Sequence, residues 1–156
     1  MTIRRAMQHD IRGINRLLHQ VEDVHQKGRP DLFKPGAKKY TDEELSVLID
    51  DDTRPIFVCV NEQDDVLGYA FCILEDHSPE HVLTDILSLY IDDLCVEENQ
   101  RGKHIGSQIY EYVTRYAKEA GCYNITLNVW ECNPGAKRFY EALGLTPYKT
   151  CMEKIL

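Results

Sequence analysis

Missing from these 156 residues is any apolar run of about 18 or more, so no membrane-spanning helix is expected. No CxxC pair is present, nor the GxxxxGK(S/T) loop of a nucleoside triphosphate site, nor the GxGxxG turn of a dinucleotide site. Repeats and low-complexity tracts are absent as well. Positive charge is in deficit: 18 Lys and Arg stand against 26 Asp and Glu, for a net charge of −8. That balance argues against nucleic-acid binding, which needs clustered cations on a phosphate backbone, and leans towards a cationic partner. The amino-terminal Met1 to Arg5 leads into no signal-type core, and a cytoplasmic location is expected.

What is present is an ordinary globule, 43% hydrophobic and 28% charged, of a length expected to make one domain spanning 1–156. Six cysteines (Cys59, Cys72, Cys95, Cys122, Cys132 and Cys151) are an even number, but most sit in or beside apolar segments. Free buried thiols are expected rather than a disulfide framework. No Cys/His cluster has ligand spacing; His77 and His81, four apart in a polar loop, lack the helical context of a metal pair, and no metal is expected.

Along the chain, Thr2 to Ala6 reads as a short strand. A helix from about Asp10 follows, with Ile11, Ile14, Leu17, Leu18 and Val21 on one face. Gln26 to Gly36 holds two prolines and two glycines and reads as a loop, with Leu32 and Phe33 packing over a core or a cleft. Thr41 and Glu44 fit a capping box for a second helix. Ile56 to Val60 and Val66 to Leu74 read as a hairpin, with Gly68 marking a bulge or a close approach. Leu87 to Val96 is a further strand. From Ile105 the apolar period becomes helical, ending at Gly121. Ile125 to Trp130 is a strand, and Asn133-Pro134 starts a helix closed by Gly144. Leu145 to Ile155 supplies a last strand. The expected class is α/β (α+β): a mixed, mostly antiparallel sheet with helices on both faces, in the order β-α-α-β-β-β-α-β-α-β.

Between the Leu87–Val96 strand and the helix at Ile105 lies Gln100-Arg101-Gly102-Lys103-His104-Ile105-Gly106. Two fixed cations, two glycines and a helix N-terminus favour an anion there, most simply a phosphate. With the nucleotide motifs absent, an R-x-x-G-x-G pyrophosphate cradle competes with a plain strand-to-helix connection.

This stretch, together with Ile91-Asp92-Asp93-Leu94-Cys95-Val96 and with Asn133 to Leu145, resembles the GNAT superfamily of acyl-CoA N-acyltransferases. The acidic pair Asp92-Asp93 is similar to the corresponding strand of spermidine/spermine N-acetyltransferases. One departure stands out: His104 occupies the motif's first glycine position. The resemblance implies that acetyl-CoA is the co-substrate, held between two splayed strands, Leu87–Val96 and Ile125–Trp130. Its pantetheine would pair with the backbone of Leu94, Cys95 and Val96. Its pyrophosphate would accept N–H groups from Arg101, Gly102, Lys103, His104, Ile105, Gly106 and Ser107. Asn133, Ala136, Phe139 and Tyr140 would flank the pantetheine and thioester, and an N–H near Cys95 would hold the oxyanion.

The same resemblance implies Tyr140 as the acid that protonates the departing thiolate, with a core aromatic as the bland alternative. Asp92 and Asp93 are the candidate bases. Successive strand residues face opposite sides, so a regular strand lets only one reach the cleft, and Asp92 is preferred. Glu97, Glu98 or a water are the fallbacks. The acceptor is expected to be a small amine or polyamine, attracted by Asp92, Asp93, Glu75, Asp76 and Asp85. A protein or peptide amine and an aminoglycoside stay open. The rival class is a non-catalytic acyl-CoA-binding or interaction domain. Homodimers are common in that superfamily, and a homodimer is a possible state.

Overall fold

A computed structural model describes all residues 1–156. Five strands form one sheet in the order β1-β2-β3-β4-β5. They are β1 (Thr2–Arg5), β2 (Ile56–Val60), β3 (Val66–Asp76), β4 (Leu87–Val96) and β5 (Asn124–Leu127). The first three pairings are antiparallel and β4–β5 is parallel. Four helices complete the fold: α1 (Ile11–Gly28), α2 (Asp42–Ile49), α3 (Ile105–Glu119) and α4 (Pro134–Ala142).

The sheet is covered on both faces because its central strands are apolar on both sides. On one face Ile14, Leu17 and Leu18 of α1 and Leu45, Leu48 and Ile49 of α2 pack against Ile56, Val58, Tyr69 and Phe71. On the other, Ile105, Ile109, Val113 and Ala117 of α3 cover Phe57, Cys59, Ala70, Cys72, Leu89 and Ile91. The predicted caps form. Thr41 Oγ1 accepts from the Glu44 amide at 3.1 Å while Glu44 Oε2 accepts from the Thr41 amide at 2.8 Å. Asn133 Oδ1 accepts from the Ala136 amide at 3.2 Å, with Pro134 opening α4.

Three boundaries differ from the sequence reading. Helix α1 runs through Gln26 and Lys27 to Gly28, because those polar residues propagate a helix already nucleated upstream. Strand β5 begins at Asn124 and stops at Leu127 instead of continuing to Trp130. The last strand does not form: residues 145–156 carry no ladder and are almost wholly exposed. A four-residue β5 offers a short edge, and Pro147 in that tail has no amide proton to give. An Arg29–Glu153 ion pair at 2.5 Å ties the tail to the end of α1.

Gly68 is a point of close approach, as its position within an apolar strand suggests. The register between β2 and β3 shifts beside it, and an added Cβ would lie 2.8 Å from the Cys95 carbonyl oxygen and 2.9 Å from Ile109 Cδ1. The first contact is backbone and cannot swing away. Gly68→Ala is therefore expected to destabilise the fold by about 2 kcal/mol through overpacking. Urea denaturation would show a lower midpoint at an unchanged slope.

Candidate active site

Strand β4 is the spine of the site. Its parallel pairing with β5 covers only Ser88↔Asn124 to Ile91↔Leu127, while its antiparallel pairing with β3 continues to Gly68↔Val96. From Asp92 to Val96, then, one side of β4 is in the ladder and the other faces an opening between diverging parallel strands. Extended backbone along that side has N–H and C=O groups available to an extended ligand.

At the mouth of this opening the register between β3 and β4 slips. Phe71 pairs with Asp93 and Cys72 with Ile91, leaving Asp92 as the extra residue of a β-bulge. The bulge changes the expectation that only one carboxylate reaches the cleft. Asp92 and Asp93 both project to the face covered by α1 and α2. Asp92 accepts from the Tyr40 hydroxyl at 3.0 Å, and Asp93 accepts from the Tyr69 hydroxyl at 2.7 Å. Tyr40 stacks on Phe71, and Tyr69 meets Phe71 edge-on, so the two phenols are held by one aromatic group.

The two acids are not equivalent. Asp93 keeps some surface in the cleft, but protein surrounds its carboxyl closely. Desolvation pushes it up to about 6, against the opposing pull of the Tyr69 hydrogen bond and the Lys39 charge. Asp92 is 16% exposed and bonds the Lys39 ammonium at 2.8 Å. Glu75 and Asp76, expected to add to the same acidic surface, do not join it. They lie four to five residues further along β3 than Phe71, the partner of Asp93, roughly 13–17 Å away. Asp85 sits in the loop beyond them. The third acid that acts on Asp93 is Glu22 of α1. Glu97 is engaged elsewhere, in an ion pair with Arg16 of α1. Glu98 is exposed in the turn that follows.

Tyr140 approaches from α4. It is half-buried, burial raises its phenol above the ordinary value, and the Asp93 charge adds to that rise. The phenol therefore stays protonated at neutral pH. Its neighbour Phe139 sets the distance between α4 and α3: a Cβ on Gly106 would fall 3.1 Å from the Phe139 ring and 3.5 Å from Val96 Cγ2. Cys95 points to the opposite face from Val96, into the α1 core, where burial pushes its thiol up to about 12. It is no thiolate at neutral pH.

At the other end of the opening, α3 begins without a side-chain cap, and the amides of Ile105, Gly106 and Ser107 have no backbone acceptor. Arg101, Lys103 and His104 are exposed around them. Arg101 Nε bonds the Val96 carbonyl at 3.4 Å and Lys103 Nζ bonds Gln100 at 2.8 Å. His104 adopts φ +61°, so this position requires left-handed backbone, and histidine holds it against strain of about 1 kcal/mol. His104→Gly is expected to raise stability by about 0.5–1 kcal/mol by relieving that strain. Thermal melting of parent and variant checks it.

Sequence reasoning missed Lys39, Tyr40, Tyr69 and Glu22. For Tyr69 a signal existed, a hydroxyl in the apolar run Val66 to Leu74. Lys39 and Tyr40 lie in the Gln26–Tyr40 loop, where the sequence leads one to expect the acceptor to be chosen, but nothing local singles them out, because only folding brings that loop onto β4. A surface hollow of about 440 Å³ between Arg5, Met7, Ile49 and Asp52 lies at the β1 edge and contains none of these residues. Its volume says nothing about chemistry at β4. His9, Asp10 and Asp64 gather closely enough for a cation. Arg4 already bonds both carboxylates there, at 2.7 and 2.8 Å.

A mixed sheet opened between two parallel strands, with an uncapped helix at one end of the opening and two carboxylates at the other, has the layout of an acyl-CoA-dependent acyltransferase fold. Residues 18–145 match the acetyltransferase (GNAT) family, and the chain belongs to that family. A solved point mutant of the BH1408 protein from Bacillus halodurans is 31% identical with a TM-score of 0.94, over 100% of this chain and 99% of that one. Glucosamine-6-phosphate N-acetyltransferase from Arabidopsis thaliana shares the fold, at 24% identity and a TM-score of 0.72, covering 99% of this chain and 97% of that chain. A probable glucosamine 6-phosphate N-acetyltransferase of Drosophila melanogaster is 26% identical over 133 residues, 85% of this chain and 54% of the fly protein. Thialysine N-epsilon-acetyltransferase of Bos taurus is 37% identical over 57 residues, 36% of this chain and 34% of the bovine one. The chain thus spans about half, or less, of these two relatives. No helix is long and apolar enough to cross a membrane.

Proposed function

We propose that this chain is an acetyl-CoA-dependent N-acetyltransferase acting on a small primary amine by direct transfer. The observation that carries the reading is the β4 bulge, which sets two carboxylates beside an opening that Tyr140 also approaches. The residues fit acetyl-CoA on two counts. The free side of Leu94, Cys95 and Val96 suits the pantetheine amides, and the uncapped α3 amides with Arg101 and Lys103 suit the pyrophosphate. Asn133, Ala136 and Phe139 form the α4 wall. Bound acetyl-CoA supplies a thioester carbonyl activated for attack.

The remaining chemistry belongs to side chains. Asp93 takes a proton from the acceptor's ammonium, and a base poised near 6 is ionised yet basic enough at neutral pH. The freed amine bonds to the acyl carbon as the C–S bond breaks; Tyr140 gives its proton to the leaving sulfur, and the extra proton that the new amide nitrogen sheds restores the Tyr140 phenol, directly or through water. This assigns the base to Asp93, one position beyond the residue the sequence favours, and leaves Asp92 to bind the ammonium. The acceptors named for the relatives, glucosamine 6-phosphate and thialysine, are both primary amines. A cleft holding Asp92 and Asp93, with the Glu22 charge acting on it from α1, repels a phosphate and suits an alkylammonium better.

Thiol release from acetyl-CoA across a panel of alkylamines, polyamines, amino sugars and lysine peptides tests the reading. Turnover with alkylamines supports it. Acetyl-CoA binding without turnover on any amine would favour a binding module instead.

A further inference from the structure

The loop between α1 and α2 brings a primary alkylammonium of the protein's own into the cleft. Lys39 Nζ lies 2.8 Å from Asp92 Oδ2, on the carboxylate oxygen that also accepts the Tyr40 hydroxyl. The neighbouring Lys38 behaves differently, bonding Asp42 and Asn15 on the surface of α1 and α2. The segment leading to Lys39 contains Gly36, which has a φ of +67° and open space around it.

We propose that Lys39 is an internal occupant of the acceptor's ammonium site, so that an acceptor binds Asp92 by displacing it. The inference rests on the acetyltransferase reading for the word acceptor, but its geometry does not. A lysine ε-ammonium is chemically an unbranched primary alkylammonium, and Asp92 holds it with the contact such a ligand would make. The surroundings favour exchange over a permanent pair. Lys39 is 35% exposed and Asp92 only 16%, so the carboxylate belongs to the cleft wall while the cation reaches it from outside.

Charge counting points the same way. Asp92 and Asp93 face this space, Glu22 of α1 lies near enough for its charge to act on Asp93, and the other ionisable groups around it are Arg54 beside Tyr40, His25 of α1, Tyr69 and Tyr140. Arg54 Nη2 bonds the Tyr40 hydroxyl at 3.4 Å, leaving Lys39 as the cation on the Asp92 carboxylate itself. Displacing it with an ammonium ligand conserves the charge balance that keeps Asp93 near 6; displacing it with a neutral or anionic ligand does not. The site thereby selects unbranched ω-ammonium acceptors, and Lys39 sets the affinity that an acceptor must exceed.

The test is isothermal titration of 1,4-diaminobutane, at fixed ionic strength, into the parent protein, Lys39→Met and Lys39→Arg. Lys39→Met, which keeps the length and loses the charge, is expected to bind the diamine about three- to tenfold tighter. Lys39→Arg is expected to bind no tighter than the parent. In an Asp92→Asn background the gain from Lys39→Met is expected to vanish. Equal or weaker binding to Lys39→Met, a gain that survives Asp92→Asn, or no binding to any variant would each overturn the proposal. Because the titration reads binding alone, a gain without acetyl transfer in the amine panel would support the ammonium site and count only against the enzymatic reading. Acetyl transfer without the gain would do the reverse.

Discussion

Replacing Asp93 by asparagine is expected to stabilise the fold at pH 7 by about 1–2 kcal/mol while lowering acetyl transfer about a hundredfold or more. The two effects share one cause. The carboxyl of Asp93 is raised to about 6 by loss of water, against an ordinary value of 3.8. Folding therefore favours its protonated form. Between about pH 4 and pH 6 the folded chain binds more protons at this site than the unfolded chain, so this group's contribution to stability rises as pH falls. Above about 6 the fold carries an ionised carboxylate in a poor solvent for charge, at a cost on the order of 3 kcal/mol if the whole shift is counted. Asparagine removes that charge and keeps an oxygen to accept from Tyr69. Its added N–H₂ needs a partner, which is why the expected gain is smaller than the full cost. Denaturation of parent and variant from pH 4 to 8 should show the advantage of the variant shrinking towards zero at the acid end. An advantage independent of pH would mean that Asp93 is not the strained group.

The activity loss has its own signature. If Asp93 is the base, kcat/KM of the parent falls below about pH 6, and the variant loses that limb. Asp92→Asn should keep the limb and raise the KM for the amine, because Asp92 is assigned to binding. A variant of Asp93 with an unchanged acid limb would return the role to Asp92 or to water.

The second large effect is expected at Tyr140. Tyr140→Phe removes one oxygen from a half-buried ring that packs against Phe139, at a ring-centroid distance of 5.1 Å. The α4 wall should stay in place, so stability and the KM for acetyl-CoA should change little. The rate should fall by about 10²–10⁴, the usual contribution of a positioned general acid. The loss should shrink for an acyl donor whose thiol leaves more easily, since a better leaving group needs a proton less. Equal losses with both donors would point to packing instead of proton transfer.

Much of the architecture could be read from periodicity and caps. The apolar runs at Ile56, Val66 and Leu87, the capping box at Thr41 and the Asn133-Pro134 start all lie where local sequence places them. The missing last strand shows the limit of that method. Leu145 to Ile155 has strand-like residues, but a strand needs a partner edge, and β5 provides four residues. The site divides in the same way. Its backbone half, from Leu94 to Ser107, follows from a contiguous motif. Its acidic half depends on a bulge, and the identities of the β4 residues give no sign that the register slips at Asp92. The strain at His104 and the Lys39–Asp92 contact likewise arise from tertiary geometry. In the first case a residue type could be questioned from sequence; in the second nothing local pointed to it.

Direct transfer, with no acyl group resting on the protein, is the claim on which the rest depends. Initial velocities measured while acetyl-CoA and a primary alkylamine are both varied test it most directly. Double-reciprocal lines that intersect, with one thiol released per amide formed, are the predicted result. Parallel lines, with acetyl recovered on Cys95 or another side chain of the protein, would contradict it.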